Sequence, residues 1–189
     1  MFNLLLTKTL IPSKTRVVAV GSLVHNNGKV VQRSHDMTGV SASFSATQFY
    51  ANSKLFNTLW SFQVNQRYSA QGVTSNSVHP GSGLFTNLGR EDASTLLKCC
   101  ILPFLYCFAP LFWLFGFFQT WHDGGVANVA AAEYAEGGHY FYRHRVSRAS
   151  ATARDVALQE WVFDETNRIL KEIAAKYNLP AEIAGPPQS

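Results

Sequence analysis

The sequence predicts an α/β fold in which parallel strands alternate with helices. Three observations predict it: short apolar runs of strand length, longer helical segments between them, and polar turn residues directly after the strands. The chain has 189 residues, of which 47% are hydrophobic and only 15% are charged, and this composition excludes a disordered protein. We therefore expect residues 1–189 to form a single domain.

The predicted elements follow one another in a regular order. Residues 2–11 are typical of the end of a helix, which Pro12 stops, and the valine-rich run at 15–20 is typical of a strand buried on both faces. The remaining predicted elements are a helix at 47–68, a strand at 73–78, a helix at 125–135, a strand at 138–142 and a helix at 154–177.

Charge and cysteine content exclude several classes of partner. The net charge is +4, and the basic residues are scattered rather than grouped, so we expect no nucleic-acid binding. Cys99, Cys100 and Cys107 are an odd number without CxxC spacing, which predicts neither a disulfide framework nor a metal site.

Lys8 interrupts a weakly apolar amino end, and we read no signal peptide there. We expect the protein in the cytoplasm or on the cytoplasmic face of an intracellular membrane.

Polar residues follow the first two strands where a ligand site is expected. Ser22 comes just after the first strand, and His79-Pro80-Gly81 just after the second. Open α/β sheets bind ligands outside the carboxyl ends of their strands. The predicted topology therefore brings these residues to one edge of the sheet.

Tyr50 and Lys54 stand four residues apart on the long helix, so their side chains share one face. A phenol normally titrates near ~10, and a neighbouring ammonium favours the phenolate and lowers that pKa toward neutrality. Such a phenol can act as a general acid or base, and the hydroxyl of Ser22 could hold a substrate oxygen beside it. The alternative is an ordinary solvated pair. The serine after a strand and the Pro-Gly turn after the next favour chemistry.

These segments resemble the short-chain dehydrogenase/reductase family. Residues 16–25 (RVVAVGSLVH) are similar to its Arg-Ile-Val-x-Val-Ser-Ser-x-x-His segment, and residues 50–55 (YANSKL) match its Tyr-x-x-Ser-Lys-Leu. Residues 72–81 (GVTSNSVHPG) are close to the branch of the retinol dehydrogenases and the WW domain-containing oxidoreductase. Residues 137–141 and 158–161 resemble the final strand and last helix of that branch. The resemblance spans nearly the whole chain.

The resemblance implies an oxidoreductase that uses NAD or NADP on an alcohol or carbonyl of a lipophilic small molecule, such as a retinoid or a steroid. It implies that Tyr50 is the catalytic acid/base. Lys54 would lower the pKa of Tyr50 and bind the nicotinamide ribose, and Ser22 would orient the substrate oxygen. Gly21 stands where the family often has a first serine, which leaves Ser22 as the catalytic one.

The resemblance also implies cofactor contacts and a missing half. Pro80 and Gly81 would wall the nicotinamide, and Thr86 would contact its carboxamide or phosphate region. The sequence has no Thr-Gly-x-x-x-Gly-x-Gly turn, which in the family binds the cofactor pyrophosphate. We therefore expect the carboxyl-terminal portion of a Rossmann-like doubly wound parallel sheet, with three adjacent strands and flanking helices, inactive and poorly soluble as this chain alone.

Residues 99–118 form an uncharged apolar stretch, long enough to be a transmembrane candidate. A single crossing would separate strands that should share one sheet, so we favour a lid that receives an apolar substrate and dips into a membrane surface. Simple core packing is the third reading. The alternative to an enzyme is a non-catalytic remnant that dimerises through the Tyr50 helix or binds a membrane.

Overall fold

The computed structural model describes residues 15–30, 46–81, 102–115 and 119–178. These residues form a four-stranded sheet of order β1-β2-β3-β4. The strands are β1 at Arg16–Val20, β2 at Thr74–His79, β3 at Tyr140–Tyr142 and β4 at Arg145–Ser147. The first three are parallel, and β4 is antiparallel to β3. The α/β class with parallel strands is therefore confirmed.

The predicted number of strands is corrected from three to four. The strand missed in the sequence is β4, which returns after β3 through a turn at residues 143–144. All three residues of β4 are exposed, and Val146 is its only apolar side chain. A strand without a buried face lacks the alternating hydrophobic pattern by which strands are recognised.

The helices are α1 at Ala46–Tyr68, α2 at Leu102–Cys107, α3 at Ala109–Leu114, α4 at Trp121–Glu133 and α5 at Val156–Lys176. The predicted helices at 47–68 and 154–177 are confirmed within two residues. Helix α4 begins four residues before the predicted start. The Thr120 hydroxyl accepts a hydrogen bond from the Asp123 backbone N–H, and the Asp123 carboxylate accepts from that of Thr120, which is a capping box. The predicted helix end at 2–11 lies outside the described residues.

The sheet is covered on both faces. Helices α1 and α5 pack on one face, where the core contains Ala19, Leu55, Leu59, Val64, Tyr140, Leu158, Phe163 and Leu170. Helix α4 packs on the other face, where Ala127 and Ala131 contact Val78 and Phe141. This is the layering that parallel strands with crossover helices require.

The expectation that the first strand is buried on both faces is wrong at its end. Strand β1 is the edge strand of the described sheet, and Val20 is 43% exposed. Ala19 is buried under α1, whereas Val18 packs against the α4 side. The strand is thus sandwiched between helices in its middle and open at its carboxyl end.

Helix α1 contacts β2 through polar side chains. The hydroxyls of Thr58 and Ser77 lie 3.0 Å apart, and those of Ser61 and Ser75 lie 2.9 Å apart, all of them buried. One turn further along α1, the Asn65 side-chain oxygen accepts from the Ser75 backbone N–H at 3.3 Å. The two buried serine hydroxyls of β2 are therefore each paired with a hydroxyl on the helix, as buried polar groups require.

The apolar stretch forms α2 and α3 over the part of it that is described, with residues 99–101 and 116–118 outside. Its exposed large side chains are Phe104, Phe108, Leu111, Trp113, Leu114 and Phe115. Pro110 lies in the first turn of α3, where a missing N–H costs nothing. In the described part of the chain no helix combines the length and the hydropathy needed to cross a membrane.

Candidate functional site

Ser22 lies at the carboxyl end of β1. Its backbone is extended, and its side-chain oxygen caps the short 3₁₀ helix Leu23–Asn27 by accepting from the Val24 N–H at 3.4 Å. The preceding residue, Gly21, donates its N–H to the Val78 carbonyl at 2.8 Å and so continues the pairing with β2. The half-buried Ser22 hydroxyl can still donate its proton to a ligand.

Lys54 connects helix α1 to the same end of β1. Its Nζ donates to the backbone carbonyl oxygen of Val20 at 3.2 Å, and Asn57 Nδ2 approaches that oxygen at 3.4 Å. The same Nζ lies 5.5 Å from the centre of the Tyr50 ring, and Tyr50 is 36% exposed. Burial lowers the pKa of Lys54, because it penalises the charged form. One helical face thus presents a phenol and an ammonium near the carbonyl of Val20, which lies two residues before Ser22 in the chain.

A directional chain of hydrogen bonds holds the Lys54 turn to β2. The Thr58 hydroxyl donates to the Lys54 backbone carbonyl at 3.1 Å, so its single proton is used there. The 3.0 Å contact between Thr58 and Ser77 must then be donated by Ser77. The order of donation is Ser77 to Thr58 to Lys54, which fixes this turn of α1 relative to the strand.

Pro80 and Gly81 follow β2 at the edge where Ser22 follows β1, because Val20 is paired with Val78 in the parallel register. Both are half-buried. Gly81 has φ +124°, and a Cβ there would lie 1.3 Å from a side-chain oxygen of Gln119. Only glycine fits this position. Thr86, the remaining predicted cofactor contact, lies outside the described residues.

Gln119 was not identified from the sequence. Its side chain is 5% exposed and packs on Gly81. When the amide is oriented with its oxygen toward Arg143, that oxygen accepts hydrogen bonds from the Arg143 guanidinium. Arg143 itself adopts a left-handed φ of 59° in the turn between β3 and β4. A single glutamine between an apolar stretch and a helix gives no signal that a sequence pattern could reveal.

The described donors suit one end of a dinucleotide. Lys54 has two N–H groups beyond the one given to Val20, and with the exposed Tyr50 hydroxyl they could hold ribose hydroxyls. Pro80 and Gly81 would lie against the nicotinamide. None of the described helices begins at a glycine-rich turn that could receive a pyrophosphate. Among the described residues, no group of three acidic, histidine or cysteine side chains could hold a metal ion.

The structure thus brings Ser22, Tyr50, Lys54, Pro80 and Gly81 to one edge of the sheet. Their individual roles in catalysis and cofactor binding remain predictions. Among them, Lys54 hydrogen-bonds the end of β1 and lies beside the Tyr50 ring. A phenol beside a cation is suited to exchange a proton with an alcohol or a carbonyl.

Comparison with known proteins finds similarity to oxidoreductases. The chain is 30% identical over 170 residues to a WW domain-containing oxidoreductase of Gallus gallus, covering 85% of this chain and 38% of that protein. It is 29% identical over 167 residues to human retinol dehydrogenase 11, covering 86% of the chain and 47% of the relative. It is 27% identical over 170 residues to mouse retinol dehydrogenase 13, covering 89% and 49%. No family model matches the chain.

The chain spans about half or less of the length of these relatives. A solved structure of an uncharacterized protein from Mycobacterium paratuberculosis superposes with a TM-score of 0.55 at 20% identity, over 82% of this chain and 50% of that one, and supports the fold. The named relatives are oxidoreductases. By these similarities the chain is a relative of the short-chain dehydrogenase/reductase family, on the branch of the retinol dehydrogenases and the WW domain-containing oxidoreductases.

Proposed function

We propose that the protein carrying this chain is an NAD- or NADP-dependent oxidoreductase that interconverts an alcohol and a carbonyl on a lipophilic small molecule. The observation that carries the proposal is the hydrogen bond from Lys54 to the Val20 carbonyl. It holds the Tyr50 and Lys54 face of α1 at the end of β1, two residues before Ser22. A solvated pair would not need a backbone partner on another element.

Each residue would have a defined role at the site. The Ser22 hydroxyl donates to the substrate oxygen and fixes its position, and the Tyr50 hydroxyl exchanges a proton with the same oxygen. The Lys54 ammonium stabilises negative charge on the phenol oxygen and hydrogen-bonds the ribose of the cofactor. The nicotinamide supplies the hydride chemistry when it is bound. Pro80 and Gly81 restrict the space on the β2 side.

The substrate is proposed to be apolar, like a retinoid or a steroid. The support is the run of exposed aromatic and aliphatic side chains on α2 and α3, which contain no charged residue. When such a surface covers an apolar ligand or lies against a membrane surface, its apolar area is removed from water, which is favourable in free energy. The relatives include retinol dehydrogenases, which are consistent with a lipophilic substrate.

The experiment is an assay of the protein as its own cells make it. The protein is tagged at its carboxyl end and purified, and its intact mass is measured, because a mass above the 21.0 kDa of these 189 residues plus the mass of the tag would show additional chain. Turnover of retinoid and steroid alcohols and carbonyls is then followed with NAD(H) and NADP(H). We expect Tyr50→Phe to abolish turnover, since it removes the exchangeable proton, and the exposed Tyr177→Phe to leave it unchanged. Full activity of Tyr50→Phe would refute the proposal.

A second candidate is a non-catalytic protein that binds a second copy through the Tyr50 helix, or a membrane through α2 and α3. The exposed Phe49 at the start of α1 and the exposed Trp113 on α3 favour it. It predicts no turnover, a dimer by sedimentation that Phe49→Asp separates, or retention in the membrane fraction after carbonate extraction. A protein of this type would work at the cytoplasmic face of an intracellular membrane or in the cytoplasm.

A further inference from the structure

His25 is a buried histidine that the proposed reaction does not use. It lies in the 3₁₀ helix after Ser22, and its side chain is only 1% exposed. Its ring packs against Tyr140 of β3, with the ring centres 4.8 Å apart. Both of its ring nitrogens have hydrogen-bond partners on the backbone of other residues, which is more than packing alone requires.

The two partners determine the tautomer. Nδ1 lies 2.6 Å from the Ser22 carbonyl oxygen, which can only accept, so Nδ1 carries the proton. The backbone N–H of Ser150 points at Nε2 at 3.2 Å and can only donate, so Nε2 is the bare acceptor. No other protonation state of the ring satisfies both contacts. Burial lowers the pKa of His25, which keeps the ring neutral. The facing groups are also uncharged at neutral pH. Burial raises the pKa of the Tyr140 phenol, and it lowers the pKa of His79 to about 4.

The second partner, Ser150, belongs to a segment that is hydrogen-bonded and packed in the core. Ser150 Oγ accepts from the Ala153 N–H at 3.1 Å, and Gln159 of α5 donates to the Ala153 carbonyl at 2.7 Å. Ala149 and Ala153 are buried in the core under α1 and α5. His25 therefore connects the loop that carries Ser22 to a segment that is already held in the core, across 125 residues of sequence.

We propose that His25 is a positioning residue, which holds the Ser22 backbone to the Ser150 segment through both nitrogens of its ring. The Ser22 carbonyl accepts twice from His25, from the ring and from the backbone N–H at 3.1 Å. Because these two hydrogen bonds fix the Ser22 carbonyl, they also fix the backbone orientation from which the Ser22 side chain extends. The effect on turnover rests on the proposed function, because it requires Ser22 to orient the substrate.

Two substitutions separate the two hydrogen bonds. In His25→Asn the amide takes the place of Nδ1 and keeps the Ser22 contact but cannot reach Ser150. In His25→Gln the amide takes the place of Nε2 and keeps an acceptor for Ser150 but loses Ser22. His139→Asn is the matched control, since His139 is half-buried and contacts Glu136 rather than the Ser22 loop.

The first readout is amide hydrogen exchange, which does not depend on activity. His25→Asn should speed exchange of the Ser150 amide roughly fivefold to tenfold, and His25→Gln should do so for the loop at 22–28, because each loses one hydrogen bond of ordinary strength. In the unsubstituted protein, nitrogen-15 NMR should find the proton on Nδ1. A proton on Nε2, or Ser150 exchange unaffected by His25→Asn, would overturn the proposal.

The second readout is turnover. A displaced Ser22 should lower kcat about tenfold to a hundredfold in His25→Gln, while the dissociation constant for the cofactor stays unchanged. An unchanged kcat together with faster loop exchange would overturn the positioning role. If the unsubstituted protein shows no turnover at all, the proposed function fails, and the exchange and NMR results still decide whether His25 holds the loop.

Discussion

Gly137 lies directly against the side chain of Asn65, and a Cβ at position 137 would come within 1.8 Å of the Asn65 amide oxygen and 2.9 Å of the Ser75 backbone nitrogen. Asn65 cannot move away freely, because its oxygen accepts from that same Ser75 N–H. The approach of the segment before β3 to helix α1 and strand β2 therefore depends on a missing side chain.

We expect Gly137→Ala to lower the free energy of unfolding by about 1–3 kcal/mol, the usual cost of overpacking. The matched control is Gly125→Ala in α4, where a Cβ would meet nothing within 4 Å. That substitution should raise stability by about 0.5–1 kcal/mol, because alanine is the better helix former. Urea denaturation measures both. Equal effects at the two positions would contradict the packing argument.

The stability of the fold should fall in acid because of His79. This side chain is buried at the end of β2, and desolvation, with help from the charge of Arg143 and from His25, lowers its pKa from 6.5 to about 4. Between pH 6.5 and pH 4, His79 is protonated in the unfolded chain but stays neutral in the folded chain, so acidification favours unfolding. The loss from pH 6.5 to pH 4 should reach at most about 3 kcal/mol.

Chemical denaturation at a series of pH values measures this loss. His79→Gln should flatten the dependence in that window, and His122→Gln, at an exposed position on α4, should leave it intact. A pH profile that is unaltered by His79→Gln would show that other groups are responsible.

The buried hydroxyl pair between Thr58 and Ser77 should be energetically coupled. Thr58→Val or Ser77→Ala alone leaves one buried hydroxyl without this partner and should cost about 1–2 kcal/mol. The double variant should cost about 1 kcal/mol less than the sum. Thr58→Val with Ser75→Ala is the control, because Ser75 pairs with Ser61 instead, and it should be additive.

Lys54→Met should separate activity from stability. The half-buried ammonium loses hydration in the fold, so replacing it with an apolar chain of similar length should change the free energy of unfolding by less than about 1 kcal/mol. Turnover by the native protein should fall at least about a hundredfold, because the cation beside Tyr50 is gone. Lys171→Met, exposed on α5, should change neither. Retained turnover in Lys54→Met would count against the proposed role.

The 189-residue chain on its own should not bind NADH or NADPH saturably. The residues proposed to contact the nicotinamide end are present, but the sequence contains no glycine-rich turn for the pyrophosphate. Isothermal titration calorimetry of the purified chain measures binding directly, with bovine serum albumin titrated as the control for nonspecific heat. A soluble monomer with saturable NADPH binding would contradict this expectation.

Much of the fold could be predicted because its periodic elements are distinct. The valine-rich run gave β1, and the long segment before Gly72 gave α1 within one residue. The beginning of α4 was missed because Gly124 and Gly125 disfavour a helix in isolation, and the Thr120–Asp123 capping box compensates for them. Local propensity does not register such compensation.

The site was predictable to the extent that topology alone determines it. Ser22 and Pro80 lie at the same edge of the sheet because they follow parallel strands that are neighbours. The hydrogen bond between Ser150 and His25 joins residues 125 positions apart. The contact of Gln119 with Gly81 depends on the path of the intervening chain. Neither of these contacts can be predicted from a local sequence pattern.

The two outer strands of the described sheet differ in how they meet the surroundings. Strand β4 presents Arg145 and two other exposed residues, and charged edges of this kind discourage further pairing. Strand β1 presents valines, and its last carbonyl is already engaged by Lys54. A strand that paired with β1 in parallel would place its own carboxyl-end loop at the same end of the sheet as Tyr50 and Lys54, so that lengthening the sheet there would also add residues to the proposed site.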